Sequence, residues 1–368
     1  MGEKHKNELT LASIGSRRHA SEAVSYFRRL GLPGFDAMRA VGVAIALAGI
    51  VGAATGACQA AEAPLVQVQA IPLENVHGRI DHLAVDVVGK RLFVAELGND
   101  SVDIVDLDTG QASRRIDKLN EPQGIAYVRD GDSIAVANAG DGSVRFFRAA
   151  DLAPLGTVAL GDDADNIRID PVTGRLLIGY GSGGLAIIDP TRRSKVGEIK
   201  LAGHPEGFEI DPRANRAFVN VPDGHQVAVV DLRSDEQIST WKLPGLSGNF
   251  PMALAGSGGP LAVVFRSPPE LLLLDPATGS ILQSVDTCGD ADNVFFDGKR
   301  QRFYVSCGDG VVDVIGRDAN EFRTIGRLRT SNGARTSLFV PELDKLFVAA
   351  RAGQRNSRAA ILVFRPSP

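Results

Sequence analysis

The sequence predicts an all-β fold: a seven-bladed β-propeller of four-stranded antiparallel blades, its ring closed by an N-terminal strand added to the last blade. Three observations carry this. Four short β-rich runs joined by turn clusters fill Asp163–Leu201, and the same form returns at Asp290–Leu328, each copy opening with Asp-Ala-Asp-Asn. A four-strand repeat of about 40 residues marks a propeller blade. Seven short motifs recur along the chain at intervals of 42, 42, 41, 46, 40 and 43 residues. Finally, the seventh unit holds three strands, while one strand near the start has no blade of its own.

Composition agrees with a folded body. The 368 residues include 41 Gly, 19 Pro and 6% aromatics, with a formal charge of −4. That balance is neither disordered nor collagen-like. Length alone would suggest two domains, but a closed ring is one domain at any length.

Residues 1–63 read as a leader outside the ring, and 64–368 as the propeller. The leader is polar and mildly basic to Ala37, then uncharged from Ala40 to Ala61 after Met38-Arg39. A basic start, an apolar middle and small residues at the end make a secretory signal. The middle is too rich in Ala and Gly for a good permanent span. Translation from Met38 would give a signal of ordinary length. Cleavage near Ala61-Glu62-Ala63 and near Cys58-Gln59-Ala60 both stay open. Thr55-Gly56-Ala57-Cys58 resembles a lipoprotein box, with Thr55 where Leu is usual, so a lipid anchor at Cys58 stays open too. The expected location is periplasmic or secreted, with no transmembrane span in the mature form. Taking the leader's seven Lys/Arg and five Asp/Glu from the chain's 40 and 44 leaves 33 and 39, a net of −6. An acidic body disfavours nucleic acid as a partner.

Within the ring, each unit opens on a motif entering the innermost strand: Ile80-Asp81-His82, Pro122-Gln123-Gly124, Ala164-Asp165-Asn166, Pro205-Glu206-Gly207, Pro251-Met252-Ala253, Ala291-Asp292-Asn293 and Ala334-Arg335-Thr336. Second strands follow, such as LFVAE (92–96), IAVAN (134–138), AFVNV (217–221) and FYVSC (303–307). Third strands include VDIVDL (102–107), VAVVDL (227–232) and LLLLDP (271–276). Near-continuous apolar runs of this length suit strands buried on both faces. The turns Asp170–Gly174 and Asp275–Gly279 place Pro and Gly where a turn favours them. LVQVQAIPL (65–73) reads as the outer strand missing from the last unit, which ends in AAILVF (359–364). Without it a strand edge would lie bare.

On these residues the chain resembles the YVTN-repeat, YncE-like family of seven-bladed propellers. FYVSC, AFVNV and IAVAN stand where that family has its tyrosine-valine-threonine-asparagine run, and VVDL and LLDP where it has valine-isoleucine-aspartate. The likeness covers roughly 65–368. It implies an exported protein, with scaffolding or single-stranded DNA binding among the family's roles. Related propellers include lactonases and the larger subunit of an amine dehydrogenase. No catalytic residue carries over.

Alternating strand direction puts the entry motifs and the second-to-third strand loops on one face. Functional residues of propellers gather at such a channel mouth. The candidate ligand site is therefore Asp81, His82, Asp165, Asn166, Glu206, Asp292, Asn293 and Arg335, with Glu96, Asn138, Tyr180 and Cys307 nearby. Gln123, Met252 and Arg335 break the acidic pattern. Asp81, Asp165, Glu206 and Asp292 are the candidate metal ligands, because carboxylate and amide oxygens suit Ca2+ or Mg2+. The alternative is that these Asp and Asn side chains cap strand entries. Cys288 and Cys307 fall at one corner of the sixth unit, so a disulfide is expected in an oxidising compartment.

Other motifs fail in context. Gly179-x-Gly181-x-x-Gly184 lies in a tight turn with no following helix. No Gly-x-Ser-x-Gly or Cys-x-x-Cys-His is present. The Arg351–Arg358 run reads as a solvated loop or a contact for an acidic partner. The functional expectation is an exported, monomeric binding or scaffold protein for a small ligand or protein partner. A metal-assisted, lactonase-like hydrolase at the channel mouth is the alternative.

Overall fold

Each apolar run predicted as a strand pairs with the next across a short turn, and the result is a ring of seven four-stranded antiparallel sheets. The computed structural model describes residues 63–256, 258–353 and 358–368. The leader and the Cys58 lipid-anchor site lie outside the described residues, apart from Ala63. Among the described residues no helix is long and apolar enough to cross a membrane.

The innermost strands are Leu83–Asp86, Pro122–Val128, Ala164–Ile169, Phe208–Asp211, Ser247–Leu254, Ala291–Asp297 and Ser337–Val340, defining blades one to seven. Each blade's next two strands are the most buried. In blade six, Phe303, Val305 and Cys307 are wholly buried, as are Val312 and Val314 of the following strand. Outer strands are half wet, as Ser194–Lys200 shows.

Burial explains why the strands are apolar throughout. Seven apolar clusters each combine residues of two neighbouring blades. One joins Phe347 and Ile361 of blade seven to Leu92 and Val94 of blade one, so the ring has no open face. The aspartates ending the third strands have a local task. Asp106 Oδ1 accepts the amides of Asp108 and Thr109 at 2.9 and 2.8 Å. Asp189, Asp231 and Asp275 fold their turns the same way. Such Asx turns fix a strand reversal without tertiary help.

Closure follows the strand count. Leu65–Leu73 pairs antiparallel with Ala359–Pro366, Leu65 opposite Pro366 and Leu73 opposite Ala359. The C-terminus is then latched: Arg300 Nε and Arg302 Nη1 donate to the Ser367 carbonyl at 2.8 and 3.0 Å. Cys288 and Cys307 are joined in a disulfide, with Cα atoms 6.0 Å apart. Arg358, at the end of the basic run, pairs with Glu74 at 3.0 Å.

One alignment is corrected. In blade five the entry residue is Phe250, not Met252. Asn249 pairs with Phe265 and Met252 with Val263, so Phe250 and Pro251 form the bulge. Ala164 and Ile167 bracket Asp165 and Asn166 in the same way. The Gly207 amide of blade four donates to the Phe250 carbonyl of blade five, as the His82 amide of blade one donates to the Gln123 carbonyl of blade two. A left-handed residue also sits two positions before each of Gln123, Asp165, Phe250, Asp292 and Arg335. Pro251 imitates Pro122 and Pro205 in sequence, but it occupies the position after the entry residue.

The closing strand supplies a test within one element. Ile71 is 1% exposed and Val68 46% exposed. Ile71→Ala is expected to cost about 2–5 kcal/mol, and Val68→Ala less than about 0.5 kcal/mol, in urea denaturation. Deleting 65–73 should give aggregates in size-exclusion chromatography. A truncated protein that stays monomeric with unchanged melting would contradict closure by this strand.

Candidate functional site at the channel mouth

Strand bulges aim the entry residues. Blades two, three, five and six each carry a register shift where the innermost strand begins. A bulge re-aims a side chain that a regular pleat would turn into a neighbouring sheet. Together with Asp81, His82 and Glu206, which precede the innermost strands of blades one and four, Asp165, Asn166, Asp292 and Asn293 line one cavity at the mouth. Arg335 stands beside it, lining an adjoining recess with Arg79 and Asp290.

The carboxylates are not used as strand caps. Among the described residues, no backbone amide donates to the side chains of Asp81, Asp165, Glu206 or Asp292. Asn293 does cap, accepting the Ser337 amide at 2.7 Å. Asn166 Oδ1 instead accepts from Arg168 Nη1 at 3.4 Å.

Arginines divide the ring of acids into two halves. On one side Asp81 Oδ2 meets Arg79 Nη2 at 2.7 Å. Asp292 is held by Arg266, and by Arg335 Nε at 3.2 Å. The Arg266 guanidinium lies 3.7 Å from the centre of the Phe250 ring. On the other side, in blades three and four, Asp165 and Glu206 have no arginine in ion-pair contact among the described residues. Histidines face them instead. His204 Nε2 is 4.0 Å from Asp165 Oδ2, and His82 Nε2 is 3.8 Å from Asp165 Oδ1. Asp165 Oδ1 is fully buried and accepts no hydrogen bond.

This crowding moves protons. Burial, reinforced by the Asp165 charge, pushes the Glu206 carboxyl up to about 8. Burial holds Asp81 at about 6 despite Arg79, and it raises Asp292 as well. The polar pairing of His204 with Asp165 lifts its imidazole to about 9. Burial, helped by the charges of Arg168 and Arg79, drives the His82 imidazole the other way, below its ordinary value. Among the described residues, no three His, Cys, Asp or Glu side chains gather closely enough to hold a metal ion together.

Arg79, His204, Arg266, Phe250, Arg168 and Glu209 belong to this region and were not singled out from the sequence. His204 and Arg79 each stand two residues before an entry residue, a regularity that the aligned repeats display. Arg266 lies next to the end of the second strand of blade five yet serves blade six, a link that no repeat alignment contains.

The proton uptake gives a signed prediction. In the folded protein Glu206 keeps its proton between its ordinary value of 4.5 and about 8, and His204 between 6.5 and about 9. The unfolded chain has released both over those ranges, so their contribution to stability is lost as pH rises. The melting temperature should fall between pH 6.5 and 9, and Glu206→Gln should flatten that fall. A wild-type melting curve rising over the same interval would contradict the assignment.

Comparison with known proteins bears on the fold alone. No family model matches the chain, and no curated protein matches it. Among solved structures it is similar to a chain of Kuenenia stuttgartiensis hydrazine synthase, at 17% identity and TM-score 0.70, covering 82% of this chain and 97% of that one. It is also similar to a chain of a mitotic checkpoint complex, at 14% identity and TM-score 0.71, covering 93% and 99%. The chain shares the β-propeller architecture of these structures.

Proposed function

We propose that this is an exported cell-envelope binding protein that takes a small cation, foremost an organic ammonium group, at the acidic half of the channel mouth. One observation supports this above the others: Asp165 carries a buried carboxylate oxygen without a hydrogen-bond partner. Leaving a charged acceptor unsatisfied costs stability, and a fold that needed only capping would place an amide there. Glu206, held protonated beside it, can release its proton to solvent as a cation arrives and then face that cation as a carboxylate. Ca2+ and Mg2+ draw on the same oxygen chemistry. An ammonium group asks less, because it does not require several carboxylates converging on one point. The checkpoint-complex neighbour is part of a protein assembly. For this chain a protein partner presenting a lysine or a free amino terminus would satisfy the same chemistry.

Titration calorimetry at low salt tests the reading, with ethylammonium, Ca2+ and Mg2+ as separate ligands. Ethylammonium should bind and release a proton, with affinity rising as pH climbs towards about 8 and the Glu206 contribution levelling off above it. The Asp165→Asn/Glu206→Gln double variant should bind at least tenfold more weakly. Binding of Ca2+ or Mg2+ alone would transfer the site to metal chemistry. No heat with any of the three, or undiminished binding by the double variant, would reject it.

A further inference from the structure

Below the mouth, the axial channel holds a second chamber whose chemistry differs. It shares His82, Arg168, Glu209, Asn293 and Phe295 with the mouth, so the two are continuous. Its remaining wall is largely apolar, made by Leu83, Ile125, Ile167 and Leu338. The chamber has a volume of about 210 Å³, room for about seven waters at ~30 Å³ each.

Arg168 and Glu209 occupy equivalent places in blades three and four. Each follows the residue that resumes regular pairing after the strand entry, Ile167 opposite Ile178 and Phe208 opposite Val219. They carry opposite charges and line the same space, yet they are not in ion-pair contact. Arg168 spends Nη1 on the Ile167 carbonyl at 3.0 Å and on Asn166. Its guanidinium carbon lies 5.5 Å from the centre of the Phe208 ring. That anchoring uses Nη1 alone, and among the described residues Nε and Nη2 make no hydrogen bond. The Glu209 carboxylate has no hydrogen bond and no ion pair among the described residues. Burial raises its proton affinity, and Arg168 partly opposes this.

A separated cation and anion above apolar walls match a ligand that carries both charges close together on an apolar tail. We infer that the chamber is a site for a free α-amino acid with an aliphatic side chain, its carboxylate on Arg168, its ammonium on Glu209 and its side chain against Ile125, Ile167 and Leu338. Arg suits a carboxylate because its planar fork meets both oxygens. Pockets that bind small molecules combine apolar walls with a few placed polar groups in this way. The inference does not depend on ammonium binding at Asp165 and Glu206, because the residues named are different.

The test uses the full propeller with L-leucine, and with 4-methylpentanoate, which is leucine without its amino group. L-leucine should raise the melting temperature and give a saturable calorimetric signal, and 4-methylpentanoate should bind at least tenfold more weakly. Glu209→Gln removes no hydrogen bond of the fold, so it should melt normally and lose at least tenfold in leucine affinity. Arg168→Lys keeps the charge but not the fork, and should lose affinity as well. Asp165→Asn/Glu206→Gln should leave leucine binding within about twofold, so failure at the mouth and failure in the chamber are read separately. Leucine binding unaffected by Glu209→Gln, equal binding of 4-methylpentanoate, or no leucine binding at millimolar concentration would each overturn the proposal.

Discussion

A blade of this propeller cannot fold usefully alone. Its second and third strands are apolar on both faces, and each face finds cover only in a neighbouring blade. A linear row of seven such sheets would leave two apolar faces and a bare strand edge at its ends. The pairing of Leu65–Leu73 with Ala359–Pro366 removes all three exposures in one contact, because it completes blade seven and brings it against blade one. The order of the rest follows. Ring closure fixes the radius, the radius sets how close the seven strand entries approach the axis, and that proximity crowds acids from blades far apart in sequence.

The fold was legible because its determinants are local and repeated. Apolar runs of strand length, Asp turns and the three-strand final unit are each visible without long-range knowledge. Blade five shows where that stops. Pro251 looked like Pro122 and Pro205, and only the bulge between Asn249 and Met252 reveals that Phe250 is the entry residue. A bulge shifts register without leaving a distinctive residue type behind. Restoring Phe250 gives six entry spacings of 42, 42, 41, 44, 42 and 43, more even than those read from the motif alone.

The candidate site was legible in half. Symmetry placed Asp81, Asp165, Glu206 and Asp292 around one axis, as residues at equivalent positions of a ring must be. It could not show which of them would be neutralised. Arg266 reaches from blade five to Asp292 of blade six, and Arg335 from blade seven to the same carboxylate. Those side chains cross between blades, so the pairing depends on reach and rotamer as well as repeat position. The outcome is a mouth split into an arginine-compensated half and an acidic half faced by histidines. Elsewhere the chain grips several buried acids with arginine, although Glu96 Oε1 is also left without a hydrogen bond. Asp313 is gripped by Arg327 Nε and Nη2 at 2.5 and 2.7 Å, and Asp297 by Arg300 and the Tyr304 hydroxyl. Beside those arginine pairs, the unpartnered oxygen of Asp165 at the channel mouth is an expense that strand pairing does not require.

That contrast can be measured directly as the melting temperature of ligand-free Asp165→Asn beside Asp313→Asn at pH 7. If Asp165 serves a ligand, its amide isostere gives up only the His204 pairing and melts close to the wild-type temperature, while Asp313→Asn, which weakens its ion pair with Arg327, melts clearly below it. Equal losses in the two variants would mean that Asp165 holds the propeller together as Asp313 does, and would contradict a binding role for the mouth.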